Sequence, residues 1–62
     1  MCLSTAYMET VDPNSEIMKD IARIELQNDG YLLIGLLGEE KSIRGKLRSI
    51  DFIDSHSVVF EE

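Results

Sequence analysis

A single cysteine at the second position is the residue of this chain best suited to bind a metal. If Met1 were removed, Cys2 would carry both an α-amine and a thiol, which close a five-membered chelate ring around an ion. With Met1 in place, the Cys2 thiolate and backbone amide nitrogens such as that of Leu3 would have to serve. Nitrogen and thiolate donors in a square plane suit Ni(II) or Cu(II), and a reducing cytoplasm disfavours Cu(II). Cys2 and Leu3 are therefore candidate nickel ligands.

Two further features bear on this hypothesis. If two chains met at their N-termini, both sets of donors could share one ion, and His56 could add a nitrogen ligand. The alternatives remain open, because a lone cysteine that opens a strand is often an inert packed residue, and a lone strand histidine often lies at a surface or interface.

The chain offers little for catalysis. His56 has only Ser55 and Ser57 beside it as candidate nucleophiles, and neighbours on a strand point to opposite faces. The acidic pairs at 39–40 and 61–62 are typical of solvated charge at a turn and a terminus. A barrel of five strands would also lack a pocket of the size that active sites need. We therefore do not expect an enzyme.

A basic stripe makes RNA binding the alternative hypothesis. Arg44, Lys46 and Arg48 have strand spacing and would share one face. A formal net charge of −6 opposes the approach of a nucleic acid, and three cations offer few phosphate contacts. A stripe of this kind is more often a solvated strand face, here one that would pair across to Glu25 or Glu39. A structural interaction module without a ligand is the second alternative.

The elements that must position these residues show a hydrophobic period of two, which predicts strands. The best-defined feature is a hairpin in which the alternating segment 22–27 is followed by Asp29-Gly30, a pair suited to a tight turn. Segment 31–34 is the returning strand. Segment 41–51 is predicted as one longer strand, and Ile50 breaks parity with Leu47, which predicts a bulge near 48–49.

Together with strands at 2–8 and 56–60, these segments predict a five-stranded antiparallel sheet rolled into a small barrel, an all-β fold. No helical repeat of useful length is present. The apolar residues exceed what so small a barrel can bury, and leftover apolar surface is usually covered by a second copy. We expect a homodimer that uses some of the following residues: Leu3, Tyr7, Leu36, Leu37 and Phe52.

Length and composition set the remaining limits. Sixty-two residues allow a single domain over residues 1–62, and 44% hydrophobic with 29% charged residues is a globular composition. No segment approaches the ~20 apolar residues of a membrane span, and the N-terminus lacks the pattern of a secretory leader. With one thiol, the chain is expected to work in the reducing cytoplasm, away from membranes.

The whole chain resembles the CooT-type family of small nickel-binding proteins. The resemblance rests on the order and spacing of short segments: Met1-Cys2-Leu3, Ile24-Glu25-Leu26, the turn 36–41, Ile43-Arg44-Gly45, Ile50-Asp51-Phe52 and the strand 56–60. It implies an SH3-like barrel that forms a homodimer and binds one Ni(II) per dimer through Cys2. It also implies an accessory role in the maturation of a nickel enzyme such as carbon monoxide dehydrogenase, with a maturation partner. The family has also been labelled as a predicted RNA-binding group.

Overall fold

A computed structural model describes residues 3–62, so Met1 and Cys2 lie outside the described part of the chain. The predicted all-β class is confirmed, with a single short 3-10 turn at Pro13–Ser15 among the described residues. Residues 3–62 form six strands: β1 (Ser4–Met8), β2 (Glu16–Gln27), β3 (Gly30–Gly35), β4 (Glu40–Arg44), β5 (Lys46–Asp51) and β6 (Ser57–Glu61). Across residues 3–62 the structure has no helix long and apolar enough to cross a membrane.

The long strand β2 organises the sheet, whose order is β4-β3-β2-β1-β6-β5. The first half of β2 pairs with β1 and the second half with β3, and Ile21 is opposite both Ser4 and Gly35. Just before this point Asp20 has a φ of 53°, a left-handed conformation that is uncommon outside glycine. Register shifts also occur on both sides of Ile21, so β2 changes partners at a local irregularity.

Three details of the predicted sheet are wrong. Six strands replace five, because Gly45 has a φ of 127° and interrupts the segment 41–51. A Cβ there would also collide with the carbonyl oxygen of Glu61. The sheet is not wholly antiparallel, because β1 and β6 run parallel. Finally, the hydrogen-bonded sheet ends at β4 and β5, so within residues 3–62 it is not a closed barrel. The two edge strands, β4 and β5, are connected through Gly45, but no hydrogen-bonded pairing between them closes the sheet within residues 3–62.

The core is built around β6, which lies between β1 and β5. Tyr31 packs on Phe60 with ring centroids 5.2 Å apart, a separation typical of tilted aromatic pairs. Ser57 is also buried, and its hydroxyl lies 2.6 Å from that of Ser55. The buried hydrophobic residues are Ala6, Ile21, Leu33, Val58, Val59 and Phe60.

Of two local predictions, the turn pair of the hairpin is wrong and the bulge near 48–49 is confirmed. The β2–β3 hairpin exists, but Gln27 is opposite Gly30, so the loop residues are Asn28 and Asp29 and the predicted Asp-Gly turn pair is wrong. Gly30 instead permits β4 to approach, because a Cβ there would collide with the carbonyl oxygen of Ile43. The predicted bulge is confirmed by a register shift between Leu47 and Ser49.

Candidate metal site at the start of strand β1

The start of β1 is the position from which the predicted ligands extend. Cys2 lies outside the described residues, and Leu3, the first described residue, is half-buried. Next to it, Ser4 is opposite Ile21 of β2, and the Thr5 N–H donates to the carbonyl oxygen of His56 over 3.2 Å. The β1 start is therefore held between the irregular point of β2 and the residue that precedes β6.

Strained backbone lies on both sides of this position. His56 is half-buried with a φ of 49°, and Asp20 on the other side has a φ of 53°. Among residues 3–62, Glu9 is the remaining non-glycine residue with positive φ. Such conformations cost about 1–3 kcal/mol each and tend to be found at functional sites. The Thr5 hydrogen bond places the backbone of His56 beside β1, and its role as an extra ligand stays a prediction.

The β3–β4 turn lies on one side of this position and displays two leucines. The Gly38 N–H donates to the Gly35 carbonyl over 3.0 Å, and the Gly35 N–H donates to the Glu39 carbonyl over 2.8 Å. This is a three-residue loop with Gly38 at a φ of 91°. The Glu39 carboxylate folds back and accepts the Leu37 N–H at 3.0 Å. Leu36 and Leu37 are consequently held in solvent, 56% and 90% exposed.

The β5–β6 loop has the same design. One carboxylate oxygen of Asp51 accepts the N–H groups of both Ile53 and Asp54, each at 2.9 Å. These bonds from the backbone of Asp54 and Ile53 lower the pKa of the Asp51 carboxyl, since they stabilise its charged form. The loop holds Phe52 69% exposed and Ile53 90% exposed.

Both loops belong to the same lateral row of the sheet as the β1 start. The Leu36 N–H donates to the Asp20 carbonyl over 2.9 Å, next to Ile21. On the other side, Asp51 is opposite Ser57, which is itself opposite Thr5. We call the four exposed side chains of these loops the apolar tips: Leu36, Leu37, Phe52 and Ile53. Sequence reasoning selected all but Ile53, which alternation could not distinguish from a strand residue.

No alternative metal cluster competes with the N-terminal candidate within the described chain. Across residues 3–62, no group of three or more His, Cys, Asp or Glu side chains is placed to hold an ion. A solvent-open pocket of about 460 Å³ lies elsewhere, beside the β2–β3 turn. Its lining includes Asp29, Ser42 and Arg44, and it is at the end of β2 remote from Ile21.

The basic stripe is partly engaged within the protein. Arg48 donates from Nη1 to the Glu9 carbonyl over 2.7 Å, and its Nε lies 4.0 Å from Glu61 Oε1. The predicted pairing of the stripe with Glu25 or Glu39 is wrong. Glu25 pairs with Arg23, 2.6 Å away on its own strand face, and the Glu39 carboxylate binds the Leu37 N–H. Arg48 is therefore less available for phosphate than its spacing indicates.

The chain is similar to known proteins in sequence and in fold. The family model described as "CO dehydrogenase accessory protein CooT" matches residues 1–61. Among solved structures, the crystal structure of a putative CooT from Carboxydothermus hydrogenoformans matches with a TM-score of 0.84 and 20% sequence identity. The match covers 98% of this chain and 97% of that one, and at this identity it shows the fold. No curated protein matches the chain.

Proposed function

Because the chain belongs to the CooT family of CO dehydrogenase accessory proteins, we propose that it is a homodimeric nickel-binding accessory protein. It would bind Ni(II) as cargo and act in the maturation of a nickel enzyme such as carbon monoxide dehydrogenase, in the manner of a metallochaperone. The observation that carries the proposal is the extent of the family match, which begins at residue 1 and so includes Cys2 and Leu3.

The donor chemistry supports nickel as the ion. The Cys2 thiolates of two chains would supply the soft ligands, and backbone nitrogens such as that of Leu3 would complete a set suited to square-planar Ni(II). Because thiolate binding requires loss of a proton, nickel affinity should rise with pH through the titration range of the cysteine. His56, whose carbonyl oxygen accepts the Thr5 N–H, is the described histidine beside the β1 start and a candidate for an additional nitrogen ligand.

The balance of buried and exposed apolar residues supports the homodimer. Within the described chain, six hydrophobic residues are buried, whereas eight large hydrophobic residues are exposed. A domain of about 60 residues buries only about 60% of the surface that its unfolded chain exposes, so its stability is marginal and self-association is one way to reinforce it. A second copy that covers part of the exposed set would supply this stability.

A nickel titration followed by absorption spectroscopy tests the proposal. We expect thiolate-to-nickel charge-transfer bands that saturate at one ion per two chains. Cys2→Ser should abolish the bands and leave the circular dichroism spectrum unchanged, because it replaces one sulfur atom with oxygen and keeps the size of the side chain. His56→Gln is the matched control for a donor that is close but not essential, and it should retain the bands. Absence of bands in the unaltered protein would refute nickel binding and favour a module without a ligand.

A transfer experiment tests the accessory role separately. Nickel-loaded protein mixed with nickel-free carbon monoxide dehydrogenase should raise enzyme activity faster than the same concentration of Ni(II) with a competing chelator. The Cys2→Ser variant should give no such increase. Equal activation by both proteins would contradict delivery through Cys2, even if the titration had shown binding.

A further inference from the structure

We propose that the free edge of strand β5 is a docking site for another protein, which adds an extended segment of alternating acidic and apolar residues as a further strand. Neither nickel nor the homodimer of the proposed function is needed for this contact. Three observations carry the proposal: an edge without a paired strand, apolar side chains left uncovered beside that edge, and a local excess of positive charge in an acidic chain.

Strand β5 lies at one end of the sheet and, within residues 3–62, pairs with β6 alone. Its backbone N–H and C=O groups that point away from β6 are therefore free to pair with a further strand. Addition of an extended segment to such an edge is a common mode of recognition. Main-chain hydrogen bonds then supply affinity and alternate side chains supply specificity. The six residues of β5 offer an edge of ordinary strand length.

Two apolar side chains lie uncovered beside this edge. Leu47 is opposite Phe60, and Ile50 is opposite Val58. Because residues directly opposite each other share a face of the sheet, Leu47 and Ile50 lie on the same face as the buried core. They are nevertheless 41% and 43% exposed, since within the described chain no strand follows β5 in the sheet. Apolar side chains of an added strand would cover both and extend the core.

Positive charge is concentrated where β5 begins. Residues 41–50 contain four of the six lysine and arginine residues and none of the twelve acidic residues of the chain. Arg44 ends β4 and Lys46 begins β5, and in the described part of the chain neither forms an ion pair. Lys46 is opposite Glu61, but the Glu61 carboxylate lies 4.0 Å from the Nε of Arg48. Two cations at the start of the edge are therefore available to acidic side chains of a partner.

Charge and side-chain type together select the kind of partner. Basic side chains on an edge hinder pairing with a copy of the same edge, since like charges would meet, but they attract a strand of opposite charge. A single-stranded RNA would need aromatic side chains on which its bases stack. Phe60 is buried, and Phe52 lies in the loop at the opposite end of β5 from Lys46. Leu47 and Ile50 instead offer aliphatic surface, which favours a protein segment.

Fluorescence anisotropy of labelled peptides with the full chain tests the charge of the edge. The probe is a peptide of about eight residues in which glutamate alternates with valine, and the control has lysine in place of glutamate. We expect the glutamate peptide to bind with a dissociation constant at least about tenfold lower. The formal net charge of −6 would by itself favour the lysine peptide, so this order reports the local charge. Equal affinities, tighter binding of the lysine peptide, or no binding of the glutamate peptide would overturn the proposal.

Methylation of backbone nitrogens of the probe separates strand pairing from charge attraction alone. Two peptides are compared, each methylated on one of the two alternating sets of N–H groups. Only one set can face β5, so one of the two peptides should bind at least about tenfold more weakly than the other. Unchanged affinity of both would contradict an added strand. Because these comparisons use the unaltered protein, they do not depend on how well a variant folds.

Substitutions in the chain locate the site. Lys46→Glu should raise the dissociation constant of the glutamate peptide at least about tenfold. Ile50→Thr should raise it at least about threefold, because it removes apolar contact while it keeps a β-branched side chain. Lys19→Glu is the matched control, an equal change of charge on β2, and should leave the affinity within about twofold. Equal weakening by Lys46→Glu and Lys19→Glu would mean that net charge governs binding, which would overturn the proposal.

A labelled oligouridylate in the same assay tests the edge as a nucleic-acid site. We expect it to bind more weakly than the glutamate peptide. An oligouridylate that binds more tightly than the peptide, and that loses affinity in Lys46→Glu, would overturn the proposal in favour of RNA. The nickel titration is read independently of these results, since Cys2 is not changed in any of the variants.

Discussion

Strand β6 and the apolar tips have similar amino-acid content and opposite environments. Val58, Val59 and Phe60 are at most 5% exposed, whereas Phe52 and Ile53, a few residues earlier, are 69% and 90% exposed. Hydrophobicity does not separate them. β6 has a paired strand on each side, while the loop before it is held outward by the hydrogen bonds of Asp51. In a chain this small, position in the sheet therefore decides which apolar residues are buried in the core and which stay exposed to solvent.

The largest effect is expected when a buried side chain of β6 is truncated. Phe60→Ala should lower the free energy of unfolding by about 3–5 kcal/mol, because it leaves a cavity against Tyr31. A domain of this length has a total stability of only about 3–9 kcal/mol. Urea unfolding should show a largely unfolded variant, and a loss of less than about 1 kcal/mol would contradict the assigned core.

A smaller effect is expected at the glycine that separates β4 from β5. Gly45→Ala should lower the free energy of unfolding by about 1–3 kcal/mol, because it combines a φ of 127° with a collision at the Glu61 carbonyl. Gly38→Ala is the informative control, since its Cβ would meet no atom within 4 Å and only its φ of 91° would resist the change. Urea unfolding of both variants measures the difference, and equal losses would show that the collision at Gly45 contributes nothing.

A pH titration tests the hydrogen bonds by which Asp51 holds the β5–β6 loop. The pKa of Asp51 is lowered by its backbone hydrogen bonds, so its stabilising effect is complete above the ordinary aspartate value of about 3.9. This effect is lost as pH falls through the lowered pKa of the folded state. The Asp51 carboxyl resonance and the Ile53 amide resonance should titrate together, below the ordinary range. In Asp51→Asn the Ile53 amide should lose this acid transition. Titration of the Asp51 carboxyl above the ordinary value would contradict the proposed bonds.

The smallest effect is expected at the tip itself. Ile53→Ala should change the free energy of unfolding of the monomer by no more than about 0.5 kcal/mol, because its side chain is already in solvent. The measurement belongs at protein concentrations where sedimentation finds a monomer. A loss as large as that of Phe60→Ala would mean that Ile53 is packed within its own chain and that the two regions do not differ.

Much of the local structure could be predicted from alternation. The all-β class and the bulge after Leu47 follow from parity along the chain, which is a local property. The exposure of Leu26 could not be predicted, because its strand extends beyond the part of β2 that packs on β1, and alternation carries no information on where a neighbouring strand ends. The parallel pairing of β1 with β6 is likewise invisible locally, since it joins residues more than fifty positions apart in sequence.

At the candidate site, too, some features could be predicted from the sequence and others depended on the fold. Residue chemistry was sufficient to select Cys2 and Leu3 as ligand hypotheses, and both await a metal titration. The arrangement around them required the fold. Neither Asp20 nor His56 has a sequence neighbour that predicts a left-handed backbone, and the inward carboxylates of Glu39 and Asp51 depend on loop geometry. Such contacts form only after the strands have set the ends of each loop.

The parallel pairing of the first strand with the last also imposes an order on events during translation. β1 leaves the ribosome first, yet it obtains its β6 partner only when residues 57–61 have emerged. Closing so long a loop is entropically costly and slows folding relative to local hairpins. A nascent chain that lacks residues 57–61 would therefore hold β1 without one of its two neighbouring strands, so the native surroundings of Ser4–Met8 form only after β6 has been made.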